Sequence, residues 1–164
     1  MSVQIRLARM EDLNRLMEIF DHARSFMKAT GNPSQWINGY PQREMIAGEI
    51  AANHCYVCCK EEGGEVVGTF AFVPSPDPNY ARIESGNWLN DASYYVIHRL
   101  ASDGSCRGIG KACIEWCWEQ CHSLRADTHQ DNKIMQKLLE NNGFVRCGII
   151  YVANGTPRIA YQRI

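Results

Sequence analysis

The chain has 164 residues, 45% of them hydrophobic and 21% charged, which fits one globular domain with a real core and excludes disorder. A formal net charge of -1 leaves no basic footprint for nucleic acid, and no run approaches the roughly 18 unbroken apolar residues that a membrane helix needs. Met1 to Arg6 pass straight into apolar alternation with no signal-like apolar region, so a cytoplasmic protein is expected, with no membrane or nucleic-acid partner.

Val3-Gln4-Ile5-Arg6-Leu7 alternates as a half-buried strand. Leu13, Leu16, Met17, Phe20 and Met27 then keep a helical period. Glu11 and Asp12 stand at its positive end, and Gly31-Asn32-Pro33 stops it. A loop carrying Trp36 and Tyr40 leads to Pro41, expected to open a second helix with Met45, Ile46 and Ile50. Cys55–Lys60 and Glu65–Val73 form a hairpin about Glu61-Glu62-Gly63-Gly64. The prolines of Pro74-Ser75-Pro76-Asp77-Pro78 exclude a central strand there, so a long surface loop, of the kind that often binds ligands, runs on to Tyr80 and Trp88.

Tyr94–Ala101 is the fourth predicted strand, Ser102-Asp103-Gly104-Ser105 a turn, and about Gly108 to His122 a helix. Leu124–Thr128 is a short fifth strand. Asp131–Asn142 is a helix with Ile134, Met135, Leu138 and Leu139 on its apolar face and Gly143 at its C-cap. Phe144–Val152 and Arg158–Arg163 close the chain as a hairpin through Asn154-Gly155. The order describes a single α/β (α+β) domain over 1–164 whose strand–helix–strand unit places one parallel pair in a sheet otherwise made of hairpins. Of the eight cysteines, Cys113, Cys117 and Cys121 make one helical stripe beside His122, and Cys55, Cys58 and Cys59 sit in a strand. They read as small buried hydrophobes, with no metal.

The turn before the third long helix carries the chemistry. A glycine-rich entry leaves first-turn amides unpaired and aimed outward, and the helix dipole adds to their attraction for phosphate oxygens. Gly108 and Gly110 permit close approach, and Arg107 and Lys111 bring positive charge. Cys113 occupies the third glycine position of a dinucleotide fingerprint, and no P-loop pattern is present. Asp127-Thr128-His129-Gln130-Asp131-Asn132 gathers polar groups where the fifth strand meets its helix. Capping explains the cluster, and Asn132 adds a candidate ligand contact, whereas His129 reads as structural or exposed.

Ser105-Cys106-Arg107-Gly108-Ile109-Gly110 resembles the Gln/Arg-x-x-Gly-x-Gly/Ala signature of the GNAT N-acetyltransferase superfamily, with Ser105 in place of the leading Gln/Arg. Asn132 through Gly143-Phe144 is similar to a second motif of that family, and the first strand, the acidic helix start and the closing hairpin also fit. The resemblance spans essentially the whole chain. It implies a mixed, mostly antiparallel sheet flanked by helices, whose parallel fourth and fifth strands splay apart around the pantetheine arm of acetyl-CoA. Backbone groups near Arg99, Leu100 and Ser102 would bond that arm. The pyrophosphate would rest on the amides from Cys106 to Lys111, Ser105 would stand at the head of the turn, and Asn132 would approach from the following helix.

The implied activity is acetyl transfer to a primary amine, on a small molecule or a protein, by direct attack on the thioester. A non-catalytic acyl-CoA-binding domain is the alternative. Tyr94 and Tyr95 stand where many relatives carry a carboxylate base, which leaves His98 as either the base or a structural histidine. The position of the usual acid tyrosine is Leu139, so Tyr151 or a water would take that role. Trp36, Tyr40, Tyr80 and Trp88, with Glu84, are read as either an acceptor pocket or loop anchors. Exposed C-terminal strands would also allow a homodimer.

Overall fold

The computed structural model describes residues 2–164. Seven strands, β1 (Val3–Leu7), β2 (Cys55–Lys60), β3 (Val66–Pro74), β4 (Tyr95–Ser102), β5 (Leu124–Thr128), β6 (Val145–Tyr151) and β7 (Pro157–Arg163), form one sheet in the order β1-β2-β3-β4-β5-β7-β6. Every pair is antiparallel except β4 and β5. The parallel pair arises because its connection is a helix, α3 (Ile109–Gln120), and parallel strands need such a crossover. The other helices are α1 (Leu13–Ala29), α2 (Arg43–Ala51) and α4 (Lys133–Asn141). No helix among the described residues is long and apolar enough to cross a membrane.

Strand alternation divides the core. Ile97, Leu124, Ala126, Ile159 and Tyr161 pack with Cys113, Ile114 and Cys117 of α3 and Leu139 of α4 on one face. Leu16, Ile19, Phe20, Ile46 and Ile50 of α1 and α2 cover Cys55, Val57 and Cys59 on the other. Cys55 and Cys58 have the spacing of a Cys-x-x-Cys pair, yet an odd separation on a strand sends them to opposite faces. Nearer the C-terminus, Tyr80 and Tyr94 pack with Val96, Ile150 and Ala160.

Boundaries differ from expectation by one or two residues at most element ends, and Pro74, expected in the loop, closes β3 opposite Tyr95. The second helix begins at Arg43, two residues after Pro41, with Gln42 as its extended N-cap. α3 stops at Gln120 because Cys121 turns extended, so His122 lies beyond the helix and stacks on Trp118 instead. Ser102, expected in the turn, is the last residue of β4 and pairs with Gly68.

Two irregularities open the middle of the sheet. The β3–β4 register passes from Thr69–Ala101 to Ala71–His98, so Phe70 alone faces Arg99 and Leu100. This is a β-bulge, and Arg99 holds it with φ of 51°, the left-handed region that a non-glycine residue seldom enters. On the other side of β4, the strand shares with β5 only the pairs Tyr95–Leu124 and Val96–Arg125, and the two diverge before the bulge is reached. The unpaired inner edges of the two strands bound a crevice.

Candidate active site

Two adjoining cavities occupy the crevice, sharing Met27, Leu100, Asn132 and Met135 in their walls. The smaller, about 350 Å³, runs from the β4 bulge past Ser102 to Gly108, Ile109, Gly110 and Lys111 at the start of α3. The larger, about 540 Å³, lies between β4 and β5 beneath the loop that joins α1 to α2.

At the α3 end, Gly108 is the N-cap, with φ of 77° and no side chain capping the first turn. A Cβ placed on Gly108 would meet nothing within 4 Å, so the space over these amides is open. Asp103 shapes the approach by accepting from the amide and hydroxyl of Ser105, and is itself anchored by Arg15 at 2.6 Å. Uncapped amides beside the exposed Arg107 and Lys111, at the mouth of a narrow groove, fit a phosphate-bearing coenzyme.

The larger cavity holds the titratable groups. His98 follows Val96 on the same face of β4, and its Nε2 lies 2.9 Å from Asp77 Oδ2 in the proline-rich loop. Burial opposes ionisation of Asp77. The hydrogen bonds from His98 and the Asn79 amide, with the charges of His98 and Arg99, outweigh it and hold that carboxyl below its usual range. Asp127 of β5 lies deep, with part of its surface open to the cavity, and Tyr80 donates its hydroxyl to Oδ2 at 2.6 Å. Burial pushes the Asp127 pKa up, against the charges of His98 and Arg158 and the Tyr80 hydrogen bond. Tyr80 is pushed well up by its own burial and by Asp127, so its hydroxyl keeps its proton and serves as a donor.

The loop between α1 and α2 is latched over this cavity. Gln35 Oε1 accepts from Asn132 Nδ2 at 3.0 Å and from Asn32 Nδ2 at 2.9 Å, and the Gln35 carbonyl accepts from Arg158 at 3.3 Å. Tyr40 bonds Arg99 through its hydroxyl at 3.2 Å and Arg24 through its carbonyl at 3.1 Å. Trp36 and Tyr40 thereby form part of the cavity wall, packed edge to face 6.1 Å apart.

The structure brings His98, Arg99, Leu100, Asn132, Trp36 and Tyr40 to the larger cavity, and Leu100, Ser102, Gly108, Ile109, Gly110 and Lys111 to the smaller. Ser105, Cys106 and Arg107 stand outside the two walls, in the turn itself. The Asn132 amide is engaged at both ends, its oxygen capping α4 at Met135 N and its nitrogen held by Gln35. Tyr80 is only 2% exposed and reaches the site through Asp127. Trp88 lies off the cavity, stacked with Tyr94 about the Arg125 guanidinium. Glu84 bridges to Ile149 through its backbone and pairs with Arg82. Tyr151 is 45% exposed near the end of β6 and lines neither cavity. His129 accepts the Asp131 amide at Nδ1, a local role that its depressed pKa, from burial and the Arg158 charge, accompanies.

Sequence reasoning gave no site role to Gln35, Asp77, Asp127 or Arg158. An aspartate inside the short strand-forming run Leu124–Thr128 was a usable signal for Asp127. The other three carry none, because they meet only in three dimensions.

A splayed parallel pair, a bulged fourth strand and an uncapped helix entry define a fold of the acetyltransferase class. A family model described as acetyltransferase (GNAT) domain matches residues 3–145, and the chain belongs to that family. Among solved structures, it is 30% identical to a GNAT-family acetyltransferase from Streptococcus agalactiae, covering 99% of this chain and 95% of that one with a TM-score of 0.90. A GNAT-family acetyltransferase from Listeria monocytogenes shares the fold at 21% identity, over 98% and 94% of the two chains with a TM-score of 0.72. A mosquito arylalkylamine N-acetyltransferase-like protein shares it at 13% identity, over 99% of each chain with a TM-score of 0.67. Comparison with curated proteins gives no match.

Proposed function

We propose that this protein is an acetyl-CoA-dependent N-acetyltransferase, acting in the cytoplasm on a primary amine. The observation that carries the reading is one continuous crevice with an uncapped, glycine-entered helix at one end and a histidine–aspartate pair at the other. Amides at Gly108–Lys111 would hold the pyrophosphate, and the free inner edges of β4 and β5 would hold the pantetheine arm as an added strand does. When bound, acetyl-CoA supplies an activated acyl carbon for direct attack by the amine.

The chain's residues divide the remaining work. Asp77, kept ionised, holds the shared proton on His98 Nε2, which leaves Nδ1 as the basic nitrogen that receives the ammonium proton. At the bulge the backbone turns out of the ladder, so an amide near Leu100 can donate to the developing oxyanion. Leu139, 2% exposed in the cavity wall, cannot donate a proton, and departure of the thiolate is left to water.

That apolar position favours one rival, an acyl-CoA-binding domain without turnover. Release of free thiol from acetyl-CoA over an amine panel decides between them. Amine-dependent release supports the enzyme, whereas coenzyme binding without release for every amine supports the rival. Absence of any thermal stabilisation by saturating acetyl-CoA would count against both.

A further inference from the structure

We propose that the acceptor is a free amino acid, held as its zwitterion with the ammonium group on Asp127 and the carboxylate on Arg158. The inference rests on the acetyltransferase reading and narrows its acceptor class.

Asp127 of β5 pairs with Ala160 of β7, and Arg158 stands two residues from Ala160 on the same face. The two charged residues are thus diagonal neighbours across the ladder, with only a methyl group at the position between them. Diagonal Cβ atoms lie at most about 7–8 Å apart, within reach of a long side chain. Both line the larger cavity.

Neither charge is neutralised. Arg158 is 6% exposed, and its terminal nitrogens donate only to uncharged oxygens, of Thr156, Pro157 and Gln35. Asp127 accepts from the Tyr80 hydroxyl. Among the described residues neither takes part in an ion pair: Arg158 and Asp127 attract each other across the cavity without meeting. Buried charges lacking a partner are costly, and a guanidinium cannot shed its proton to escape.

The other ionisable groups in this wall already have partners: His98 has Asp77 at 2.9 Å, and Arg99 has Glu49 at 3.5 Å. A simple amine, or the lysine of a protein, would satisfy Asp127 and leave Arg158 alone. A ligand that bears an ammonium and a carboxylate on the same carbon satisfies the two together. Trp36, Ile37 and Met45 in the same wall provide apolar contact for its side chain.

The test uses the full chain loaded with CoA, which has no acyl group to transfer, and reads binding by calorimetry. Alanine, methionine and phenylalanine are each compared with their amides and with their decarboxylated amines. At least one amino acid is expected to bind tenfold or more tightly than both of its derivatives. Arg158→Gln should erase the preference for the acid over the amide, and Asp127→Asn should weaken acid and amide alike. Equal or tighter binding of the decarboxylated amines, or no binding of any amino acid, overturns the proposal. The wild-type comparison decides the matter even if Arg158→Gln does not fold. Thiol release is measured separately: an amino acid that binds without turnover supports this inference while defeating the catalytic reading, and turnover confined to decarboxylated amines does the reverse.

Discussion

His98 and Asp77 come from segments 21 residues apart, and their effects on rate should differ in kind. His98→Gln removes the proton acceptor and should lower kcat by about 10²–10⁴-fold, the usual contribution of a general base. Asp77→Asn leaves the imidazole in place but loses its orientation, so a smaller fall with an altered pH–rate profile is expected from steady-state kinetics. Asp127 carries the opposite kind of shift. Its folded pKa is raised, because burial makes ionisation costlier in the folded protein than in the unfolded chain. Stability is full below the unfolded value near 3.9 and is lost as pH rises through the folded pKa. Asp127→Asn, which retains an oxygen for Tyr80, should therefore raise Tm at pH 7 by about 2–4 °C, the shift for about 1 kcal/mol in a chain of this size. The two melting curves should converge below about pH 4. Higher stability with weaker acceptor binding would mark Asp127 as a residue kept for function.

Each element's path was largely readable, because hairpin turns, prolines and helical periods announce themselves locally. What escaped were local departures that no residue type signals. Arg99 in a left-handed conformation is the clearest: its neighbours are ordinary strand formers, and it is held by Glu49 and Tyr40 from elsewhere in the chain. Pro41 misled by two residues because Gln42, not proline, takes the cap. Gly108 was read correctly as a turn glycine, and its conformation makes a test possible. A Cβ at φ of 77° is strained even in open space, so Gly108→Ala should cost about 1–2 kcal/mol of stability and weaken coenzyme binding. Gly110→Ala meets only Leu138 Cδ2 at 2.7 Å, the end of a side chain able to turn aside, so chemical denaturation should show a smaller loss.

At the scale of the whole molecule, the family and topology were accessible from two motifs in the right order, while the larger cavity was legible only in part, through residues such as His98, Trp36 and Tyr40. Gln35, Asp77, Asp127 and Arg158 come from two loops and two strands, and only the folded chain brings Gln35, Asp127 and Arg158 to one cavity and Asp77 to His98 in its wall. The thiols give a global check on packing. Cys55, Cys58, Cys59, Cys113, Cys117 and Cys147 are buried, whereas Cys106 and Cys121 are half-buried. A thiol reagent should therefore titrate two groups rapidly in the native protein and all eight after denaturation. More than two fast thiols would contradict the burial of the other six.

The brevity of the β4–β5 contact also governs how the molecule breathes. Two rungs and one crossover helix join a four-stranded portion to a three-stranded one. A coenzyme lying between the strands would complete the missing ladder and act as a keystone in an otherwise interrupted arch. Amides on the inner edges, from Ile97 to Ser102 and from Ala126 to Thr128, should exchange with deuterium quickly when the crevice is empty and slowly when it is filled. Substrate occupancy would then be written in the rigidity of the sheet, and product departure timed by the moment the arch loosens.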